Sequence, residues 1–498
     1  MASVQERMIF GLKIRQYRQE KGWNFDELSR CTGISVSYLN EIEKGKKYPK
    51  PENRQKLAKA FGVEEQVLIN PRLTKQYAPI GELLQSNFLN ELPLDLFGIQ
   101  LQEVVEIIAK APDRVNAFIS ALLDLARNYS LRDEHFFLAS LRAYQELHSN
   151  YFEDLEQAAA AYVAEHQLPV TPGISSNQLA QLLCNLYGYR IQSEGFGSIT
   201  ELSQLRSIYL TDDRILLLRP ELTEQQRLFQ LAKEIGFNAL QLKERPITSS
   251  LLKVTSFEEV LNNFKAAYFA VCLLINREYF TEQIKQLFEQ PRWDGEAFLS
   301  LLQHLNVRPS VLFQRFNVLS PAFDLHKIFF FRIAYHPAGR RYEMEKELQL
   351  NRRHQPHASG LNEHYCRRWM AIRQLEEMEQ QENPPALVSG LQRATFMDSG
   401  EEYLCISVAE QGTLTTKRSS VFLGILLDAQ SQETLRFLED PSIPREKVNV
   451  TCERCAQPDC AERAAPPSVL QKKEQRKATL EALDQLVRTF KSDNARHK

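Results

Sequence analysis

Three cysteines fall within nine residues near the end of the chain, Cys452, Cys455 and Cys460 in "NVTCERCAQPDC". The chain has only eight, and the other five, Cys31, Cys184, Cys272, Cys366 and Cys405, are dispersed. Thiolates this close bind soft metals or iron–sulfur clusters. Three thiolates do not close a tetrahedral zinc site. A fourth ligand must then come from a histidine, from Cys366 or Cys405, or from a bound small molecule. The alternative is three reduced thiols in a loop that holds nothing.

A different kind of chemistry is written near the start. Residues 7–69 parse as short helices separated by sharp turns. "RMIFGLKIRQYRQEKG" places Ile9, Leu12, Ile14 and Tyr17 near helical spacing and stops at Gly22. "NFDELSRCTG" opens on Asn24, a good N-cap, with Asp26 and Glu27 in its first turn, and ends at Gly33. "SVSYLNEIEKG" is capped by Ser35 and ends at Gly45, and the next helix begins with Pro51. Two short helices joined by "TGIS" form a helix-turn-helix signature, with Leu28, Ile34, Leu39 and Ile42 as the small shared core. From Lys44 to Lys59 there are seven basic residues and one acid, Glu52, a balance suited to phosphate contact. The competing reading is a small helical protein-binding domain with a solvated basic face.

The stretch "ELSRCTGISVSYLNEIEKGKKYPKPENRQKLAKAFGV" resembles the Cro/C1-type (Xre) repressor family over about 60 residues. In that family the second helix of the pair enters the major groove. Carried over by position, the resemblance implies that Val36, Ser37, Asn40 and Glu41 face base edges. Ser35 caps that helix, and Tyr38, Lys44, Lys46 and Lys47 sit near the backbone. Asn24 starts the helix that crosses the phosphates. The implied partner is double-stranded DNA, bound by a homodimer or higher homo-oligomer.

The totals agree with a soluble regulator. A chain of 498 residues suits about three domains. The net charge of −2 is unevenly spread, because residues 1–75 carry 15 Lys or Arg against 9 Asp or Glu. The longest compact apolar run, "AAYFAVCLLI", is too short to cross a bilayer. "MASVQERMIF" lacks the pattern of a signal peptide. The expected location is therefore cytoplasmic, with no membrane partner.

Between head and cysteines the chain is mostly helical. "LQEVVEIIAKAPDRVNAFISALLDLARNYS" reads as two helices broken at Pro112, and "RSIYLTDDRILLLRPEL" as a hairpin around Thr211–Asp213. The helix that follows, "QRLFQLAKEIGFNALQL", stands where a zinc metallopeptidase-like domain would carry H-E-x-x-H, two histidines for zinc and a glutamate to activate water. Here the window reads Lys233, Glu234, Ile235, Gly236, Phe237, and both histidines are missing. The expectation is a non-catalytic relative of that fold, not an enzyme. "AFLSLLQHLNVRPSVLFQRFNVL" echoes a helix-turn-helix rhythm without a basic flank and is read as core packing. "KIFFFRIAY", "EYLCISVAEQ" and "SSVFLGILLDA" read as strands of a sensor-like sheet.

"CERCAQPDCAERAAPP" resembles the closing motif of the short-chain fatty acyl-CoA transcriptional regulators, and "NYFEDLEQAA", "LFQLAKEIG" and "NEHYCRRW" fit the same family. The resemblance implies an acyl-CoA effector, control of carbon or fatty-acid metabolism genes, and a 4Fe-4S cluster on the C-terminal cysteines, with structural zinc as the runner-up. A redox or metal sensor without an organic effector needs only the head and the cysteines.

The resulting expectation is mainly α with α+β parts. It comprises a five-helix Cro/C1-type domain over 7–70 and a helical linker or dimerisation region over 80–168. A degenerate metallopeptidase-like domain follows over 169–320, then an α+β sensor domain over 321–467. A basic helix or tail closes the chain over 468–498.

Overall fold

The computed structural model of the chain describes residues 4–70, 133–170, 173–193, 202, 205–248, 254, 256–337, 341–349, 363–412 and 417–496. The helices expected on either side of Pro112 lie outside the described residues. The chain divides into two units, Met1–Tyr144 with Val254–Phe257, and Gln145–Lys253 with Glu258–Lys498.

The head is built from five helices: α1 (Val4–Glu20), α2 (Phe25–Thr32), α3 (Val36–Glu43), α4 (Pro51–Phe61) and α5 (Glu65–Ile69). Local chemistry sets their ends. Asn24 Oδ1 accepts the Glu27 main-chain N–H at 2.9 Å, and Glu27 returns the bond to the Asn24 N–H at 2.7 Å. This reciprocal capping box satisfies two donors that a helix start leaves open. Gly33 ends α2 with φ 67°, a left-handed turn that glycine adopts without a Cβ clash. That turn swings α3 back so that Leu28, Leu39 and Ile42 are fully buried and Ile34 is 5% exposed. Phe10 and Ile14 of α1 and Leu57 and Phe61 of α4 close the same core. Each buried side chain of this size contributes about 1.5–3 kcal/mol of burial.

Helix α6 (Asp133–Leu147) falls mostly in the first unit, and the second unit holds α7 (Glu153–Glu165) and α8 (Ser176–Tyr187). Strands β1 (Arg190–Gln192), β2 (Ser207–Leu210) and β3 (Ile215–Leu218) form a sheet of order β1-β3-β2. The β2–β3 pair is the expected antiparallel hairpin. Helix α9 (Glu224–Ala239) begins at a capping box on Thr223 and crosses α10 (Phe257–Leu274) closely. At the crossing a Cβ on Gly236 would lie 2.8 Å from the Ala266 carbonyl oxygen, so only glycine fits. Helices α11 (Arg277–Phe288), α12 (Gly295–His304), α13 (Pro309–Arg315) and α14 (Leu319–Phe323) follow. The segment with the second helix-turn-helix rhythm is core: Phe298, Leu302, Leu312 and Phe316 are buried.

The C-terminal sheet has six strands: β4 (Ile328–His336), β5 (Arg341–Gln349), β6 (Leu387–Phe396), β7 (Glu402–Glu410), β8 (Ser419–Leu426) and β9 (Arg445–Val448), in the order β5-β4-β8-β7-β6-β9. All pairs are antiparallel except β6–β9. Period-two alternation divides its faces. Phe329, Phe331, Tyr403 and Phe422 pack with Trp369 and with α15 (Met370–Gln380) on one face. On the other, Phe330 meets Phe313 of α13. A short helix α16 (Ala429–Thr434) precedes β9, and a 29-residue helix α17 (Ser468–Arg496) ends the chain.

Candidate functional site

Helix α3 presents a graded surface. Ser35, Val36 and Ser37 are exposed, Val36 at 38%, while Tyr38, Asn40 and Glu41 are half-buried. Ser35 Oγ caps the helix by accepting the Tyr38 N–H at 3.4 Å. Tyr38 leans on the head core. Arg18 of α1 holds the far end of α3 through both oxygens of Glu43, at 2.6 and 3.0 Å, and its guanidinium lies 4.4 Å over Phe25. Glu43 is thereby neutralised, leaving Glu41 as the carboxylate on this surface. Lys44, Lys46 and Lys47 follow directly and are exposed, and the described residues show no ion pair for them. Arg54 is committed elsewhere, to Glu65 at 2.9 Å. Asn24 is exposed at the start of α2 with its Oδ1 given to the cap. One face of the head therefore combines small polar groups on a rigid helix with unpaired cations beside it. That is the arrangement that reads base edges and neutralises phosphates.

The peptidase-like helix α9 is rewired. Glu234, at the position of a water-activating glutamate, accepts Arg245 Nη2 on both oxygens at 2.7 Å and the Tyr189 hydroxyl at 3.1 Å. Arg245 is held between Tyr209 and Phe237, 4.1 and 3.9 Å from their ring centres. Burial, reinforced by Glu234, pushes the Tyr189 hydroxyl up, so it stays a neutral donor. Lys233, where a first zinc-binding histidine would stand, donates to Asn263 Oδ1 at 2.5 Å. A phenylalanine at 237 offers no ligand, and a glutamate bound to a guanidinium is a poor base.

The cysteines come together from two distant segments. Main-chain bonds lace residues 364–366 to 450–452: the Cys366 N–H donates to Val450 O at 3.2 Å, the Cys452 N–H to His364 O at 2.8 Å, and Tyr365 pairs with Thr451. Side chains tighten the seam. Glu363 accepts Thr451 Oγ1 at 2.6 Å and Arg454 at 2.7 Å on each oxygen. The result is one cleft of about 320 Å³, including open solvent, lined by Cys366, Cys452, Cys455 and Cys460. Cys366, Cys452 and Cys455 are buried and Cys460 is half-exposed. Cys405 does not join them, being fully enclosed in β7. Of the sequence candidates for a fourth ligand, Cys366 is the one at the cleft.

Burial, then the neighbouring Cys452 and Cys455, pushes the Cys366 thiol up to about 11, while main-chain bonds from Asn449 and Arg368 act the other way. The Ala464 N–H donates to Cys452 Sγ at 3.4 Å. Arg367, Arg368, Lys447 and Arg463 share the lining with a single carboxylate, Glu462. Four thiols fit an anionic metal–thiolate group in donor set, although of the lining cations Arg367 is paired with Glu376 at 3.3 Å and Arg368 with Glu446 at 3.9 Å. Among the described residues no three His, Cys, Asp or Glu side chains stand as a metal site. Arg367, Arg368 and Arg463 flank the cysteines in sequence, but their place in the lining, like Lys447 and the Arg245–Tyr189 clamp, was not foreseen from the sequence, since it is set by tertiary contact.

Comparison with known proteins covers two parts of the chain. Residues 14–68 match the helix-turn-helix family model, and residues 184–317 match the IrrE N-terminal-like domain of the M78 peptidases. The HTH-type transcriptional regulator SinR of Bacillus licheniformis is 31% identical over 70 residues, 14% of this chain and 63% of SinR. DdrOP3 of Deinococcus deserti, also an HTH-type transcriptional regulator, is 35% identical over 51 residues, 10% of this chain and 40% of its own. The chain thus spans less than two thirds of the length of these two relatives. The uncharacterized HTH-type transcriptional regulator YazB of Bacillus subtilis is 35% identical over 66 residues, which is 13% of this chain and 96% of YazB. A solved "Mycobacterium tuberculosis transcriptional regulator" overlaps 65% of this chain and 93% of its own at 22% identity, with a TM-score of 0.45. Among the described residues no helix is long and apolar enough to cross a membrane. With a helix-turn-helix head that matches YazB over nearly its whole length, the chain belongs to the HTH-type transcriptional regulators.

Proposed function

We propose that the chain is a sequence-specific DNA-binding regulator whose C-terminal domain binds a metal group through Cys366, Cys452, Cys455 and Cys460 and responds to a short-chain acyl-CoA. The observation that supports the metal reading is that four cysteines, from segments 86 residues apart, line one cleft together with three arginines and a lysine. A 4Fe-4S cluster is the favoured occupant, supplying a redox-active anionic core, and zinc suits the same four-sulfur donor set. The acyl-CoA effector rests on the resemblance of the closing cysteine motif. Base readout falls to Val36, Ser37, Asn40 and Glu41, and phosphate contact to Lys44, Lys46 and Lys47. The clamped Glu234 and missing histidines support a non-enzymatic role for the peptidase-like domain.

Anaerobically purified protein should show a broad absorbance near 400 nm, typical of cysteine-ligated clusters, with iron and sulfide. Both should vanish in the Cys366→Ser and Cys452→Ser variants. Zinc in place of iron reassigns the site as a structural clasp. A protein that holds neither iron nor zinc refutes the metal reading. Gel-shift titration with acetyl-, propionyl- and butyryl-CoA tests the effector. An operator affinity that ignores all three but follows oxidation state favours a redox sensor instead.

A further inference from the structure

Arg463 is neither a thiol nor part of the motif spacing, yet it organises the whole cysteine loop. Its Nη1 donates to the Cys452 carbonyl at 2.9 Å and the Ala465 carbonyl at 3.4 Å. Its Nη2 donates to the Gln457 carbonyl at 2.6 Å and the Cys455 carbonyl at 3.3 Å. One planar guanidinium thus gathers four carbonyls from both arms of the loop. Other bonds tie mainly the two ends of the loop, the 451–454 end to residues 363–364 through Glu363, His364 and Glu453 and the far end through Glu462 to Arg373 at 3.2 Å, whereas Arg463 bonds across its span. Cys452–Arg454 is a single 3-10 turn, and Asp459 takes a left-handed φ of 46° just before Cys460. The guanidinium fork suits this task, because five donors in a fixed plane can hold several acceptors at once. It also places a permanent positive charge beside the sulfurs.

We infer that Arg463 is the positioning residue of the thiol site, folding the Cys452–Cys460 loop before any metal arrives. The inference concerns the site read above as metal-binding, but its test does not depend on metal. Without Arg463 the four carbonyls lose their common donor and the loop opens. Cys452 and Cys455, now 5% and 8% exposed, then become accessible to solvent.

The test is the rate of iodoacetamide alkylation, residue by residue, in metal-stripped full-length protein. Wild type, Arg463→Gln and Arg463→Lys are compared. Gln should accelerate Cys452 and Cys455 at least tenfold and leave Cys405, fully enclosed in β7, as slow as before. Lys keeps the charge but not the fork and should fall between. If the Gln protein does not fold, the Lys protein is read by the same criterion. Equal rates at Cys452 and Cys455 in wild type and variant overturn the inference. So does an acceleration that Cys405 shares, since that marks general loosening. Metal content of unstripped wild type is measured in parallel. Its absence would sink the metal reading while the alkylation rates still decide the role of Arg463.

Discussion

Replacing Lys44, Lys46 and Lys47 together with alanine should change how DNA binding responds to salt, and replacing Asn40 should not. The three lysines are exposed, and no ion pair in the described residues competes for them. Each phosphate neutralised by a lysine releases condensed counterions and adds about 0.9 to the slope of log affinity against log salt. Three removed contacts should flatten that slope by about 2.7. Between 50 and 200 mM salt the variant should therefore lose about fortyfold less affinity than wild type. Asn40 is half-buried on the rigid face of α3, and its amide can bond a base edge. Alanine there should cost about 1–3 kcal/mol on the chosen operator, roughly 5- to 150-fold, with an unchanged slope. The assay is fluorescence anisotropy on an operator selected from random duplexes, with a scrambled duplex beside it. A lysine variant whose slope equals that of wild type would refute the placement of this flank on the phosphates. An Asn40→Ala protein that weakens on both duplexes alike would remove α3 from base readout.

Three further outcomes follow from packing and ionisation in the second unit. Glu156→Gln should lower its thermal midpoint by about 4–7 °C, because Arg315, 1% exposed and bonded to Glu156 at 2.6 and 2.9 Å, would keep a buried charge worth about 3–5 kcal/mol when unpaired. Gly236→Ala should destabilise the α9–α10 crossing by about 1–3 kcal/mol, read as a lower midpoint in denaturant, since the new Cβ meets the Ala266 carbonyl. Glu363 should make the cysteine seam sensitive to acid. Burial alone would raise its pKa, but Arg454 and Thr451 overcome that and hold it below the ordinary carboxylate value of 4.5. A depressed folded pKa adds stability above the unfolded value, and this is lost as pH falls through the folded value. The protection factors of the amides at 450–454, taken relative to intrinsic exchange at each pH, should therefore fall below about pH 4 in wild type and lose that pH step in Glu363→Gln.

Much of the head was legible because its signals are local. A capping residue, a left-handed glycine and four apolar positions settle a helix-turn-helix within twenty residues, and all of them stand as expected. The strongly apolar strands β4, β7 and β8 were legible for the same reason. Their neighbours were not. β6 carries Gly390 and the polar Ser389, Gln392 and Arg393, because helix α15 presses on it closely enough that a Cβ at 390 would lie 2.6 Å from Gln374 Nε2. β5, at the sheet edge, reads "RYEMEKELQ", charged as an edge strand should be and therefore easily taken for a helix or loop. The thiol spacing announced three members of its cleft. The fourth, Cys366, with Arg367 and Arg368 next to it in sequence, joins them through a seam between chain segments that no local pattern encodes.

The rewired helix α9 bears on where metal can sit at all. A zinc site needs three or four donors free of other cations. At this helix the candidate positions hold an ammonium, a carboxylate already bonded by a guanidinium, and a phenyl ring. At the place where a peptidase would put a metal, Arg245 is bonded to Glu234 and Lys233 to Asn263, an arrangement that disfavours a metal there. Any iron or zinc that copurifies with the chain should then belong to the thiol cleft. Stripping it with a chelator under reducing conditions should speed amide exchange across 452–465 and leave 228–239 untouched. Equal acceleration of both segments would mean that the peptidase-like centre still binds metal and that the clamp on Glu234 opens to admit it. Exchange that changes only at 228–239 would move the metal away from the cysteines altogether.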